Sequence, residues 1–83
     1  MTKPSMQEGL EAFHEINDLT TVTSVAAYAN GWSLDYIKSV MRRIYGRLNS
    51  KTAKQITLKA IEAPEPIVSL QKSIDELFHQ LGE

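Results

Sequence analysis

Residues 25–37 read Val25-Ala26-Ala27-Tyr28-Ala29-Asn30-Gly31-Trp32-Ser33-Leu34-Asp35-Tyr36-Ile37, and this stretch decides the fold. It opens on small and apolar residues. It then meets Asn30-Gly31, a pair that tolerates positive φ and so marks a turn. Ser33 follows as a helix N-cap, its hydroxyl able to accept one of the unpaired N–H groups of a first turn, and Asp35 falls where the helix dipole favours negative charge. From there Leu34, Ile37, Met41, Ile44 and Leu48 recur at intervals of three and four. That spacing predicts an amphipathic helix through about residue 48. Two helices joined by a tight turn are therefore expected across 20–48.

Upstream, Ser5 precedes Glu8 at the spacing of a capping box. Leu10, Phe13 and Ile16 recur at helical intervals, while Glu8, Glu11 and Glu15 lie largely off that stripe. The pattern predicts a helix over about 5–17 that ends near Asn17-Asp18. The hydroxyls of Thr20 to Thr23 then offer caps for a new helix leading into Gly31. Downstream, residues 49–63 read two ways. Ser50 can cap a helix from Lys51 to Ala63. Against that, Gln55-Ile56-Thr57-Leu58-Lys59-Ala60 alternates polar and apolar with two β-branched residues, which favours a short strand near 54–61. Pro64 and Pro66 end whatever precedes them, and Pro66 suits the first turn of a last helix over about 66–81, before Gly82.

In that last segment Ile67, Leu70, Ile74, Leu77 and Leu81 alternate by three and four, and Phe78 widens the stripe. The rhythm is that of a two-stranded seam. The stripe serves either the domain's own core or a second copy of the chain. At 83 residues a lone monomer buries only about 60–65% of its unfolded surface, which favours a homodimer through these six side chains. The expected architecture is mainly α: a single domain over 1–83, with a possible short strand near 54–61 and a C-terminal dimerisation helix.

There is no cysteine, so neither a disulfide nor a thiolate zinc site can staple the fold; this fits a cytoplasmic protein. The longest apolar run, Val25 to Ala29, is far short of a membrane span. Met1 to Ser5 lead into a Glu-bearing stretch, so no signal peptide is expected. The net charge of -1 hides a strong asymmetry. Lys38, Arg42, Arg43, Arg47, Lys51, Lys54 and Lys59 all fall within residues 36–61, a block with no acidic residue, and the flanks on both sides are net acidic. A near-neutral chain arranged this way can present a positive face to a polyanion, although a basic solvated helix surface would look the same.

Nothing in the sequence suggests catalysis. His14 and His79 are far apart in the chain, the glycines form no phosphate loop, and no serine has a histidine partner in a recognisable elbow. No metal, cofactor or small-molecule substrate is expected, and the chain is not expected to be an enzyme.

With a small residue at Ala27, a glycine four later at Gly31 and a branched aliphatic six after that at Ile37, residues 23–42 resemble the helix-turn-helix family of DNA-binding proteins. Ala27 is small because the second helix crosses close over it, Gly31 supplies positive φ, and Ile37 plugs the angle between the helices. Ala26, Trp32 and Val40 supply the flanking apolar positions; Asn30 stands where many members carry an apolar residue. The resemblance implies a double-stranded DNA partner, with the second helix in the major groove and its N-terminal residues at the base edges. Carried onto this chain, the reading positions are Ser33, Lys38, Ser39 and Arg42, with Leu34 and Asp35 serving core and cap. Arg43, Arg47, Lys51 and Lys54 lie further along and suit phosphates. Thr21, Thr23, Ser24 and Tyr28 would meet the backbone at the N-terminus of the motif's first helix.

A homodimer would space two reading helices about 34 Å apart, one turn of DNA. A strand at 54–61 followed by a final helix would also resemble small plasmid-type repressors that dimerise after their motif. The implied role is a transcriptional regulator, a repressor by its small size. The rivals are an architectural or recombination accessory factor that bends DNA with the same motif, and a protein-interaction module whose basic block is incidental.

Overall fold

The computed structural model describes residues 5–82. Four helices follow one another: α1 (Met6–Asn30), α2 (Leu34–Tyr45), α3 (Lys51–Glu62) and α4 (Pro66–Gly82). The protein is mainly α, and α1 packs against each of the other three. At 25 residues and 1.5 Å per residue, α1 is about 37 Å long. That equals the longest dimension of the molecule, 37 Å.

The expected break near Asn17-Asp18 does not occur. The buried side of α1 runs without interruption through Ala12, Ile16, Leu19, Thr23 and Ala27, so tertiary packing carries the helix across the weak formers. Thr20, expected as a cap, instead donates its hydroxyl to the Ile16 carbonyl at 2.7 Å, which satisfies a buried polar group inside the helix. At the N-terminus Ser5 Oγ accepts the Glu8 N–H at 3.2 Å, half of the capping box. The Glu8 carboxylate does not complete the box; it accepts the Thr52 hydroxyl at 3.1 Å and ties α1 to α3.

The turn at 31–33 forms as the sequence predicts. Gly31 takes φ 62°, ψ 41°, the left-handed conformation, and its N–H returns to the Ala27 carbonyl. The Trp32 N–H reaches the same carbonyl at 3.1 Å, closing the helix end. Ser33 Oγ then caps α2 by accepting the Tyr36 N–H at 3.2 Å. The helix stops at Tyr45, earlier than expected. Arg47 and Leu48 donate to the carbonyls of Ile44 and Tyr45 in a final tight turn, and Leu48 still reaches the core.

The expected strand near 54–61 is helix. Ala53, Thr57, Ala60 and Ile61 form its buried side at intervals of four, three and one, whereas Leu58 on the alternating pattern is exposed. The β-branched Thr57 is accommodated because its hydroxyl donates to the Ala53 carbonyl at 2.8 Å. The deciding contacts lie at the helix start. Ser50 Oγ accepts the Ala53 N–H at 3.1 Å. From α1, the Glu15 carboxylate accepts the Ser50 N–H at 2.8 Å and the Asn49 N–H at 2.9 Å. A negative charge at a helix N-terminus favours the helix through both the dipole and the orphan amides.

The C-terminal stripe does not present the expected dimer seam. Leu70, Ile74 and Leu77 are buried in the chain's own core with Ile16, Leu19 and Met41. Ile67 and Leu81 are half-buried, and a Cβ on Gly9 of α1 would stand 2.9 Å from Leu81 Cδ2, a mark of how closely α1 and α4 pack. Only Phe78 of the six is left in the open, at 68% exposure, beside Phe13 with ring centroids 6.3 Å apart. Among the described residues, no helix is long and apolar enough to cross a membrane.

Two outcomes follow from these contacts. Gly31→Ala should destabilise the fold by about 1 kcal/mol because alanine must adopt positive φ. Gly46→Ala, at helical φ -65° and with its nearest contact at 3.6 Å, should be neutral or gain up to about 1 kcal/mol; urea denaturation of the pair reads the difference. Glu15→Ala should cost about 1–2 kcal/mol, since it strips two backbone amides of a charged acceptor, and hydrogen exchange should accelerate first at Asn49 and Ser50.

Candidate nucleic-acid interface

The geometry of α2 separates its residues into two sides. Met41 is fully buried, and Ile37 and Ile44 pack beside it. At 100° per residue, Ser39 and Arg43 lie opposite Met41 and Arg42 lies to one side. All three are exposed, as is Arg47 just beyond the helix end. The arginines also sit in the last turn, where positive charge complements the helix dipole. Asp35 is the one acidic residue of α2, and it occupies the first turn, where its sign is favoured.

Ala27 is buried, and Ile37 is half-buried and packed against the core. Trp32 is half-buried and meets Tyr36 edge to face, centroids 4.8 Å apart.

The positions predicted to read bases are unequal. Ser39 and Arg42 face outward without obstruction. Ser33 is exposed, but its oxygen is engaged as the α2 cap; its hydroxyl hydrogen remains able to donate outward. Lys38 is half-buried at the edge of the core side. Among the predicted phosphate positions, Arg43, Arg47 and Lys51 are exposed. Lys54 is half-buried, with Nζ 5.8 Å from the Tyr45 ring centroid, so part of its charge is spent on the aromatic face.

The hydroxyl group at 21–24 does not form the expected anion site. Since α1 is continuous, there is no helix N-terminus here to offer free amides. Thr23 is 1% exposed and cannot reach a phosphate. Ser24 is engaged, donating to the Thr21 carbonyl at 3.2 Å. Thr21 and Tyr28 are exposed, Tyr28 at 93%. Tyr36 on α2, which the sequence left without a role, is exposed, as is Lys59 of the basic block on α3. Tyr36 was legible as the residue one turn after the Ser33 cap, on the turn whose Trp32 it covers.

No known protein family, curated protein or solved structure matches this chain.

Thr23 carries a further consequence. Its Oγ1 is buried with no hydrogen-bond partner, and an unpaired buried hydroxyl costs about 1–3 kcal/mol. Thr23→Val should therefore raise stability by about 1 kcal/mol in urea denaturation and leave any nucleic-acid affinity unchanged.

Proposed function

We propose that this chain binds double-stranded DNA through α2, used as the second helix of a helix-turn-helix, and acts in the cytoplasm as a transcriptional regulator that represses by occupying its site. One observation carries the reading. The helix that follows the left-handed Gly31 turn exposes Ser39, Arg42 and Arg43, and Arg47 and Lys51, next in the chain, are exposed as well.

The roles follow from chemistry. Arg42, in the last turn of α2, has the planar donor fork that matches the paired acceptors of guanine in the major groove. Ser39 and the Ser33 hydroxyl are small donors suited to a neighbouring base edge. Arg43, Arg47 and Lys51 lie where charge without base selectivity is needed and suit phosphates, which set register and supply salt-dependent affinity. Lys38 supports the reading from the flank. Thr23 has no part in it.

The test is selection from a random duplex pool, followed by titration against salt. Specific binding should enrich one site and weaken steeply as salt rises. Arg42→Ala should cost about 1–3 kcal/mol and blur one base position, whereas Arg43→Ala should weaken all sequences alike and lower the salt slope by about one unit. Salt-dependent binding with no enriched site would favour the architectural reading. Failure to bind at low salt would overturn the DNA reading altogether.

A further inference from the structure

We propose that the second half of α1 is the surface on which a second copy of this chain docks, by antiparallel pairing of α1 with α1. From Leu19 to Leu34 the chain carries no charged residue. One side of this half-helix, formed by Leu19, Thr20, Thr23 and Ala27, is buried in the domain. Beside it run Val22, Val25, Ala26 and Ala29, spaced i, i+3, i+4 and i+7, a second packing stripe bordered on its far edge by the exposed Thr21 and Tyr28. Val22 is 62% and Val25 64% exposed, Ala29 is exposed and Ala26 half-buried.

The contrast along the same helix is informative. Continued toward the N-terminus, the outward side carries Glu11, His14 and Asp18, all exposed. Contact with water accounts for that half. It does not account for an apolar stripe that begins where the charges stop.

A second copy is the occupant that the charges favour. A neutral apolar stripe is complementary to itself, as a two-fold interface requires, and it offers no counter-charge to an acidic or basic ligand. A parallel pairing would set Asp18 against its own copy and Glu11 against its own copy. An antiparallel crossing near Val25 and Ala26 separates those carboxylates, and like-charge juxtaposition is costly at an interface. The small side chains of Ala26 and Ala29 let two helix axes approach closely.

The experiment is sedimentation equilibrium on the full chain over a wide concentration range, with circular dichroism on every variant. The wild type should sediment as a dimer. Val25→Lys should leave helicity unchanged and raise the dimer dissociation constant at least about a hundredfold, while Phe78→Lys on α4 should leave association unchanged. The chain has no native cysteine, so Ala26→Cys should oxidise to a covalent dimer and Asp18→Cys should not. A wild type that remains monomeric at its highest soluble concentration overturns the proposal, as does a dimer lost in Phe78→Lys but kept in Val25→Lys. If both lysine variants dissociate, failure of Ala26→Cys to cross-link overturns it. The mass is read without DNA. A dimer that binds no DNA therefore leaves this inference standing, and a DNA-binding monomer overturns it alone.

Discussion

The Glu15 carboxylate makes the charged contact that ties α1 to the start of α3. It sits on α1 and takes two backbone amides, those of Asn49 and Ser50, at the start of α3. Those amides belong to a helix end, whose first N–H groups have no partner within the helix. Charge, dipole and hydrogen bonding act in the same direction there. The Thr52 hydroxyl on Glu8 adds a second tie about two turns back along α1. With α3 fixed against α1, the loop from Gly46 to Ser50 has both ends set, and the outward side of α2 is set with it. The acidic character of the N-terminal segment is thus partly structural: these two carboxylates meet backbone and hydroxyl donors of the basic block.

The same economy marks the start of α2. Ser33 is both the cap of the helix and a residue at its exposed end, and Gly31 supplies the only positive φ among the described residues. The turn is short, so the direction of α2 relative to α1 depends on very few torsions. A chain that reads DNA with the first turns of a helix benefits from such rigidity, because base-edge hydrogen bonds tolerate little displacement. Arg42 and Arg43, by contrast, are long side chains in the last turn, where their charge also stabilises the helix end.

Burial and charge diverge along α1. Its inner side is continuous, from Ala12 to Ala27, while its outer side changes from charged to apolar near Leu19. For so short a chain the surface left open is a large fraction of the whole, and one unpaired apolar stripe on the longest helix is the feature most in need of a partner. The C-terminal helix, whose rhythm invites a seam, has already spent its leucines on the core.

Much of the fold was legible in the residues because it rests on local chemistry. The Asn30-Gly31 turn, the Ser33 cap, the inward side of α2 at Ile37, Met41 and Ile44 and the Pro66 start each depend on neighbours within a few positions, although Leu34, expected to begin that stripe, is 47% exposed. The clustering of Lys38, Arg42, Arg43, Arg47, Lys51, Lys54 and Lys59 was equally plain, and the exposure of Arg42 and Arg43 followed from the core stripe of their helix, whereas Lys38 falls at the edge of the core side. What local chemistry left open, tertiary contacts decided. Residues 54–61 satisfy both a period of two and a period of 3.6, and only the Glu15 contact from 34 positions away, with Ala53, Thr57 and Ala60 against the core, selects the helix. The polar run at 17–21 reads as a break until Leu19 and Thr23 are seen to be buried. A heptad rhythm in α4 states that one face is apolar, not what that face will meet. Periodicity is a property of a segment, whereas burial is a property of the pair, and only the folded chain supplies the second member.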